Sequence, residues 1–396
     1  MIKLLWIFQN LENMKIVLNN NIITDSTNEY EKGYLFLLTS QNQKYFSNQN
    51  YITPKEILKS NKTKFIGITG TNGKTTTAFL IGYILDKLGY KVGIQGTEGF
   101  YLNGVKKESK TLTTPPIITT IDRVNKYKPD FFIMEVSSHS IVQNRIDGIK
   151  FDLKIFTNLS QDHLDYHKTM EEYKKVKELF FKDNSIKIIN KKYNLNINKE
   201  NSYFYLLNKS YPTKLKGNFN QENFQSAILG VSKLLDKNID EIATIAQNFN
   251  GIAGRMEEVV ENIIIDFAHT PDGMEKVLSS IKEKKIVVFG AGGDRDKSKR
   301  KIMGEIADKY ADYIILTNDN PRCENEEEII EDIKQGIKNC NFEIILDREE
   351  AIKKAIKIQK NRYILLLGKG DEKFIEKCGE KIPFCEKEII FNYLPI

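Results

Sequence analysis

The sequence predicts an α/β protein in three parts: a small N-terminal α/β module, a central parallel-sheet domain and a second, C-terminal α/β domain. Three observations predict it. From Lys64 onward, apolar runs of four to six residues alternate with amphipathic stretches, the pattern of βαβ units around a parallel sheet. The first such run leads directly into a glycine-rich Gly70-Thr71-Asn72-Gly73-Lys74-Thr75-Thr76 that opens a helix. The alternation then restarts near Gly254. A chain of 396 residues has material for two or three cores. The boundaries fall at 1–62, 63–252 and 253–396.

In the first part, short strands such as Lys15–Leu18 and Tyr34–Thr39 are separated by polar turns, one of them Asp25-Ser26-Thr27. The central part sets strand Phe65–Thr69 before helix Thr75–Leu88, and strand Phe131–Glu135 before the loop Val136–Ser140. In the last part, strands are expected at Ile263–Phe267, Ile286–Phe289, Tyr313–Thr317, Glu343–Leu346 and Tyr363–Leu367, with helices at Glu326–Lys338 and Glu349–Lys360. Several of these strands end in polar or glycine-rich clusters: Ala268–Asp272, Gly290–Arg295, Asn318–Arg322 and Gly368–Glu372. Open parallel sheets bind ligands outside the carboxyl ends of their strands, so clusters gathered at that edge would build a site.

Composition narrows the function. The formal charge of +6 is spread over 59 basic and 53 acidic side chains, which argues against a nucleic-acid partner and is compatible with a polyanionic small substrate. Cys323, Cys340, Cys378 and Cys385 show no C-x-x-C spacing, so neither a zinc knuckle nor a disulfide framework is expected. The apolar patch Leu4–Phe8 is too short for a signal-peptide core, and no run reaches the length of a membrane span. A cytoplasmic protein without membrane insertion is expected, with Met14 an alternative start.

The chemistry begins at the phosphate loop. Glycines let backbone N–H groups close around phosphates, the helix N-terminus favours negative charge, Lys74 reaches the terminal phosphates, and the Thr75 hydroxyl suits Mg²⁺. Ile68 stands where the strict form of this motif has glycine, so the loop is a compact variant. Glu135, at the exit of a buried strand, is a candidate second ligand for Mg²⁺, because a buried carboxylate is costly unless paired or bound to metal. His163 and His167 stand four apart, but Leu164 replaces the glutamate that a zinc protease would need. Lys177 lies on the same helical face as Tyr173, Val176, Phe180 and Phe181. Desolvation there favours the neutral amine, which can capture CO₂ as a carbamate; a snorkelling lysine is the alternative.

Taken in order, Gly70–Thr76, Thr113-Thr114-Pro115, Glu135–His139, Thr157–His167 with Lys177, Gly254–Glu257, Asp266–Asp272, Gly292–Arg300, Asp319–Arg322 and Gly368–Glu372 resemble the Mur ligases, over about residues 15–394. The likeness is greatest to those that add the third residue of the peptidoglycan stem peptide. It implies their architecture: an N-terminal module, here shortened, a central P-loop ATPase domain and a C-terminal Rossmann-like domain. It further implies ATP, two Mg²⁺ sites and a CO₂-derived carbamate on Lys177, with Thr75, Glu135, His163 and Lys177 as the metal set and Lys74, Lys177, His163 and Glu135 catalytic. Gly70, Thr71, Asn72, Gly73, Lys74, Thr75, Thr76, Asn220, Asn223, Arg255, Asp266 and His269 correspond to ATP-binding residues. Ser26, Thr113, Thr114, Ser137, Gln143 and Arg145 correspond to residues holding a UDP-N-acetylmuramoyl-dipeptide. Asp319, Asn320, Pro321 and Arg322 match the motif of the meso-diaminopimelate-adding branch, with Arg295, Gly368 and Glu372 completing the pocket and Glu372 taking the distal ammonium. An arginine fork suits the second carboxylate of diaminopimelate and repels the cationic end of lysine.

The sequence departs from the family pattern at Asp371, where histidine is usual, and at Leu112, where asparagine is common. A lysine-adding or folylpolyglutamate-forming ligase, and a nucleotide-hydrolysing switch, are the competing readings. The protein is expected to act as a monomer.

Overall fold

The computed structural model describes residues 15–394 apart from Asn48, Ser60, Lys110, Thr111 and Asn208. The Leu4–Phe8 patch and the alternative start at Met14 lie outside the described residues. The chain forms two compact units. The first runs to Leu159 and includes Tyr173–Lys209 and Asn223–Ala246; the second comprises Ser160–Glu172, Ser210–Glu222 and the chain from Gln247 onward.

The first unit holds two sheets. The smaller has the order β1 (Lys15–Leu18), β2 (Asn21–Thr24), β3 (Leu35–Leu37) and β4 (Tyr51–Ile52). β1 and β2 form a hairpin whose connecting Asn19 and Asn20 take φ of 49° and 64°, the conformation that a two-residue turn between twisted strands demands. Ile16, Ile23 and Leu37 are buried in one apolar cluster with Phe65, Phe132 and Phe151, so this module and the larger sheet share a core. The expected boundary near residue 62 thus separates two sheets of one compact unit.

The larger sheet comprises β5 (Lys64–Thr69), β6 (Val92–Gly96), β7 (Gly99–Leu102), β8 (Val105–Glu108), β9 (Phe131–Glu135), β10 (Phe151–Phe156), β11 (Ile186–Asn190) and β12 (Ser202–Tyr205). Their order is β12-β11-β10-β5-β9-β6-β7-β8, with β7 and β8 antiparallel at one edge. β5 lies inside the sheet, parallel to β10 and β9, which explains its continuous apolar run: both faces are covered. Helix Lys74–Lys87 follows it and buries Leu80, Ile81, Ile84 and Leu85.

The second unit is built on β13 (Glu257–Val260), β14 (Ile263–Asp266), β15 (Lys285–Phe289), β16 (Tyr313–Leu316), β17 (Phe342–Ile344) and β18 (Tyr363–Leu367), in the order β13-β14-β18-β15-β16-β17. β13 is antiparallel and the other pairings are parallel. Two apolar clusters cover the sheet, one holding Ile264, Val287 and Leu365, the other Ile265, Val288 and Leu366, as alternation along each strand requires. A hairpin, β19 (Phe374–Lys377) and β20 (Glu380–Pro383), follows the last of these strands. The five strands expected by sequence are all present. The expected helix Glu326–Lys338 ends at Lys334; just beyond it Gly336 packs so closely on the backbone of Lys301 that a Cβ would lie 2.1 Å from its carbonyl oxygen.

Candidate active site

The phosphate loop leaves the carboxyl end of β5. Gly70 has φ 152° and a Cβ there would meet Thr157 Oγ1 at 1.9 Å; Gly73 has φ 84° and its Cβ would meet Asn223 Oδ1 at 2.3 Å. Both glycines are therefore required by backbone conformation and by space. The loop is braced from β10: Asn72 N donates to Asn158 Oδ1 at 2.9 Å, while Thr157 Oγ1 and Asn158 Nδ2 donate to Asn72 O. Lys74 Nζ donates to Gly70 O and Thr71 O at 2.9 and 2.8 Å, and Thr75 and Thr76 are buried at the start of the helix. Asn158, which sequence reasoning did not single out, is therefore part of the cradle.

Glu135 pairs in register with Ile68 on the adjacent strand, so it emerges beside the phosphate loop. It is 1% exposed, and its two oxygens accept from Thr97 N at 3.0 Å and Thr97 Oγ1 at 3.1 Å. The Glu135 carboxylate, at the end of β9, and the Thr75 hydroxyl, in the first turn of the helix after the phosphate loop, are hard oxygen donors of the kind a magnesium ion takes. From Glu135 a polar chain runs through Thr113, whose Oγ1 lies 3.2 Å from Thr97 Oγ1, and Thr114, which donates to Glu135 O at 2.8 Å. Ser137 N donates to Thr114 Oγ1, and Arg145 Nη1 donates to Thr114 O. Four of the six residues assigned to the sugar-peptide substrate thus form one cluster. Gln143 lies at the end of the short helix Ser138–Val142, and Ser26 is buried where β2 leaves the smaller sheet.

Lys177 is 1% exposed on helix Met170–Leu179, with Nζ 4.5 Å from the ring centre of Tyr173. The Tyr173 hydroxyl is 3.3 Å from Thr71 Oγ1, which links this lysine's surroundings to the phosphate loop. His163 falls in the second unit, with φ 55° and Nε2 3.2 Å from Asp162 Oδ2. Among the described residues, no group of three or more His, Cys, Asp and Glu side chains forms a ready metal cluster.

In the second unit, Asp266 at the end of β14 is buried, and its oxygens accept from Met256 N and Ala268 N, each at 2.7 Å. Burial raises its pKa, opposed by Arg255 and these two N–H groups. It thereby fixes the loops carrying Arg255, whose guanidinium stacks 4.2 Å from the Phe267 ring centre, and His269, whose Nδ1 meets Phe267 O at 2.8 Å. His269 opens onto a cleft but is crowded by protein: desolvation, then Lys299, lower its pKa to about 4. Asn220 turns its amide back to Lys216 O at 2.6 Å.

The clusters at the strand ends of this sheet converge. Arg295, Asp319, Asn320, Arg322, Gly368 and Glu372, six of the seven residues assigned to the amino acid, line one cavity of about 170 Å³, and Pro321 lies within the same loop. Its volume suits an amino acid. Gly292, Asp296 and Lys299 also line it and were not anticipated individually. Arg322, with φ 51°, donates to Gly293 O at 2.8 Å and lies 3.4 Å from Glu376. The polar floor is held by Lys369, fully buried, which donates to Asn320 Oδ1 at 3.0 Å and Glu372 Oε2 at 3.1 Å. Asn320 Nδ2 in turn donates to Glu372 Oε2 at 2.8 Å. Arg300, also fully buried, grips Glu324 through two bonds of 2.8 and 2.7 Å and holds its carboxyl far below the usual range. Glu324 also accepts from Asp294 N, which steadies the loop bearing Arg295.

Residues 68–226 match the Mur ligase middle domain, and residues 254–370 match the Mur ligase, glutamate ligase domain. A UDP-N-acetylmuramoyl-L-alanyl-D-glutamate--2,6-diaminopimelate ligase of Wolinella succinogenes is 41% identical over 415 residues, covering 94% of this chain and 96% of its own. The chain belongs to the Mur ligase family. The enzyme of the same name from Helicobacter pylori is 39% identical, with 94% of this chain and 95% of its own covered. A solved structure of a UDP-N-acetylmuramoyl-L-alanyl-D-glutamate--2,6-diaminopimelate ligase superposes with a TM-score of 0.61 at 25% identity, covering 98% of each chain. The folylpolyglutamate synthase FolC of E. coli shares the fold, with a TM-score of 0.64 at 16% identity over 80% of this Mur ligase and 87% of that chain. As a member of the family the chain is an ATP-dependent ligase that forms an amide bond. Among the described residues, no helix is long and apolar enough to cross a membrane.

Proposed function

We propose that this Mur ligase adds meso-diaminopimelate to UDP-N-acetylmuramoyl-L-alanyl-D-glutamate in the cytoplasm, during assembly of the peptidoglycan precursor, and works as a monomer. The observation that carries the reading is the arginine-lined cavity: Arg322 and Arg295 line one small pocket together with the carboxylates Asp319 and Glu372. A diamino acid with a carboxylate at each end needs that pairing of fixed guanidinium and carboxylate groups, whereas lysine has no distal carboxylate for an arginine to hold.

A carboxylate is a poor acylating agent, since oxide would have to leave. In our reading the terminal γ-carboxylate of the dipeptide attacks the γ-phosphorus of ATP, releasing ADP and giving an acyl phosphate. The amine of diaminopimelate then attacks the acyl carbon, phosphate leaves with the bonding electrons, and the ammonium proton goes to solvent. The phosphate loop and Lys74 hold the transferring phosphoryl group, where fixed donors stabilise developing charge. Thr75 and Glu135 would hold one Mg²⁺, and a carbamate on Lys177 would offer oxygen donors to a second. Bound there, the ions neutralise the anionic reactants as they approach. Thr113, Thr114, Ser137 and Arg145 orient the sugar-linked acid, with Ser26 and Gln143 completing that surface. On the nucleotide side, Asn223 closes on the phosphate loop at Gly73.

The test is the mass of the product. Incubation with ATP, the UDP-dipeptide and equimolar diaminopimelate and L-lysine should yield the diaminopimelate tripeptide in large excess. A lysine tripeptide as the main product would overturn the assignment.

A further inference from the structure

We propose that the buried pair Arg348–Glu386 is a positioning device for the amino-acid pocket, tying together the two strand-end loops that supply the pocket's polar groups. The proposal rests on the reading of that pocket as the amino-acid site.

Arg348 opens the helix Arg348–Lys357, which Asp347 caps, and it is 1% exposed. Its guanidinium donates in three directions: Nε to Glu386 Oε1 at 2.8 Å, Nη1 to Asn318 O at 2.9 Å and Nη2 to Leu367 O at 2.8 Å. Asn318 is the residue before Asp319, and Leu367 the residue before Gly368. One planar group thus grips the carbonyl just ahead of each pocket segment. Those loops leave β16 and β18, which are not neighbours but flank β15, so the sheet's own ladder does not join them. The loops are also tied directly by Lys369, which reaches from the second loop to Asn320 of the first, and by Asn320 Nδ2, which donates to Glu372 Oε2.

The carboxylate partner explains why the arginine stays so oriented. Glu386 begins the helix Glu386–Tyr393, is 2% exposed, and its second oxygen makes no hydrogen bond among the described residues. Burial raises its pKa, opposed by Arg348 and then Lys369, while Asp319 on the pocket rim raises it further. A buried ion pair is a poor source of stability, because desolvating both charges offsets their attraction, and an apolar pair of similar volume often folds as well. What an apolar pair cannot do is hold two carbonyls at a fixed separation. Arginine's rigid fork can, and lysine's single ammonium cannot reach all three acceptors. Pocket residues need supporting groups of this kind to keep productive geometry.

The experiment measures KM for diaminopimelate and for ATP, together with backbone hydrogen exchange, in the full-length enzyme. Two variants are used: Arg348→Lys, which leaves Glu386 a charged partner, and the double variant Arg348→Met with Glu386→Leu, which leaves no buried charge unpaired. In both, KM for diaminopimelate should rise about tenfold or more while KM for ATP stays within about twofold, as loss of one or two charge-assisted bonds implies. Exchange should quicken selectively in the segments 318–322 and 368–372. The proposal is overturned if a folded variant keeps the wild-type KM for diaminopimelate, or if both KM values and exchange throughout the second unit change together. Should the wild-type enzyme itself turn over without regard to diaminopimelate, the pocket reading fails instead.

Discussion

The amide oxygen of Asn223 lies 2.3 Å from the position a Cβ on Gly73 would occupy, so a residue of the long helix Asn218–Leu235 closes directly on the phosphate loop. Gly73→Ala therefore meets both a left-handed backbone and a filled space. It should cost about 1–2 kcal/mol from the backbone alone and weaken ATP binding further by pushing Asn223 away. Calorimetric titration with ATP and a thermal melt measure the two effects; unchanged ATP affinity would contradict the assigned cradle.

Lys177→Ala should lower kcat by about a hundredfold or more, the scale for removing one electrostatic stabiliser of a transition state, with the fold retained. In the unmodified protein, ¹³C-bicarbonate should give a carbamate carbon resonance that the variant lacks. An active variant, or the same resonance in both proteins, would contradict a carbamate on this lysine.

Arg322→Lys removes a guanidinium that holds Gly293 O and lines the amino-acid cavity. The loss of charge-assisted bonds, about 1.5–3 kcal/mol, should raise KM for diaminopimelate roughly tenfold to a hundredfold. Steady-state kinetics at saturating ATP reads it directly.

Burial pushes the Cys340 thiol up to about 11, whereas Cys323 and Cys378 are exposed. Since the thiolate is the reactive form, a maleimide at pH 7 should label Cys323 and Cys378 before Cys340. Peptide mapping after timed quenching distinguishes them, and early labelling of Cys340 would contradict its burial.

His269 has its pKa lowered to about 4, so the folded state resists its protonation. The unfolded chain binds that proton from about pH 6.5, and stability should therefore be complete above that pH and fall as pH drops toward 4. His269→Gln should flatten this part of the curve of melting temperature against pH; an unaltered slope would contradict the assignment.

Much of the fold was legible because its determinants are local. β5, β9 and β18 are covered on both faces and read as continuous apolar runs, and the helices of the second unit start at recognisable caps: Thr270, Asn325 and Asp347. The amino-acid cavity was legible too, because strand ends of one parallel sheet converge whatever the loop sequences are. The braces were not. Asn158, Arg300, Lys369, Arg348 and Glu386 act through partners far away in the chain, and a lone Arg or Glu on a helix ordinarily signals a solvated face. The shared core of the N-terminal module and the central sheet was equally hidden, since Ile16, Ile23 and Leu37 give no sign of which surface they meet.

The most direct test of the central claim is phosphate release from ATP by purified enzyme, measured with the UDP-linked dipeptide and diaminopimelate together, with each alone, and with neither. Sustained release that requires both compounds is the result this account predicts. Release at the same rate in all four mixtures would contradict it.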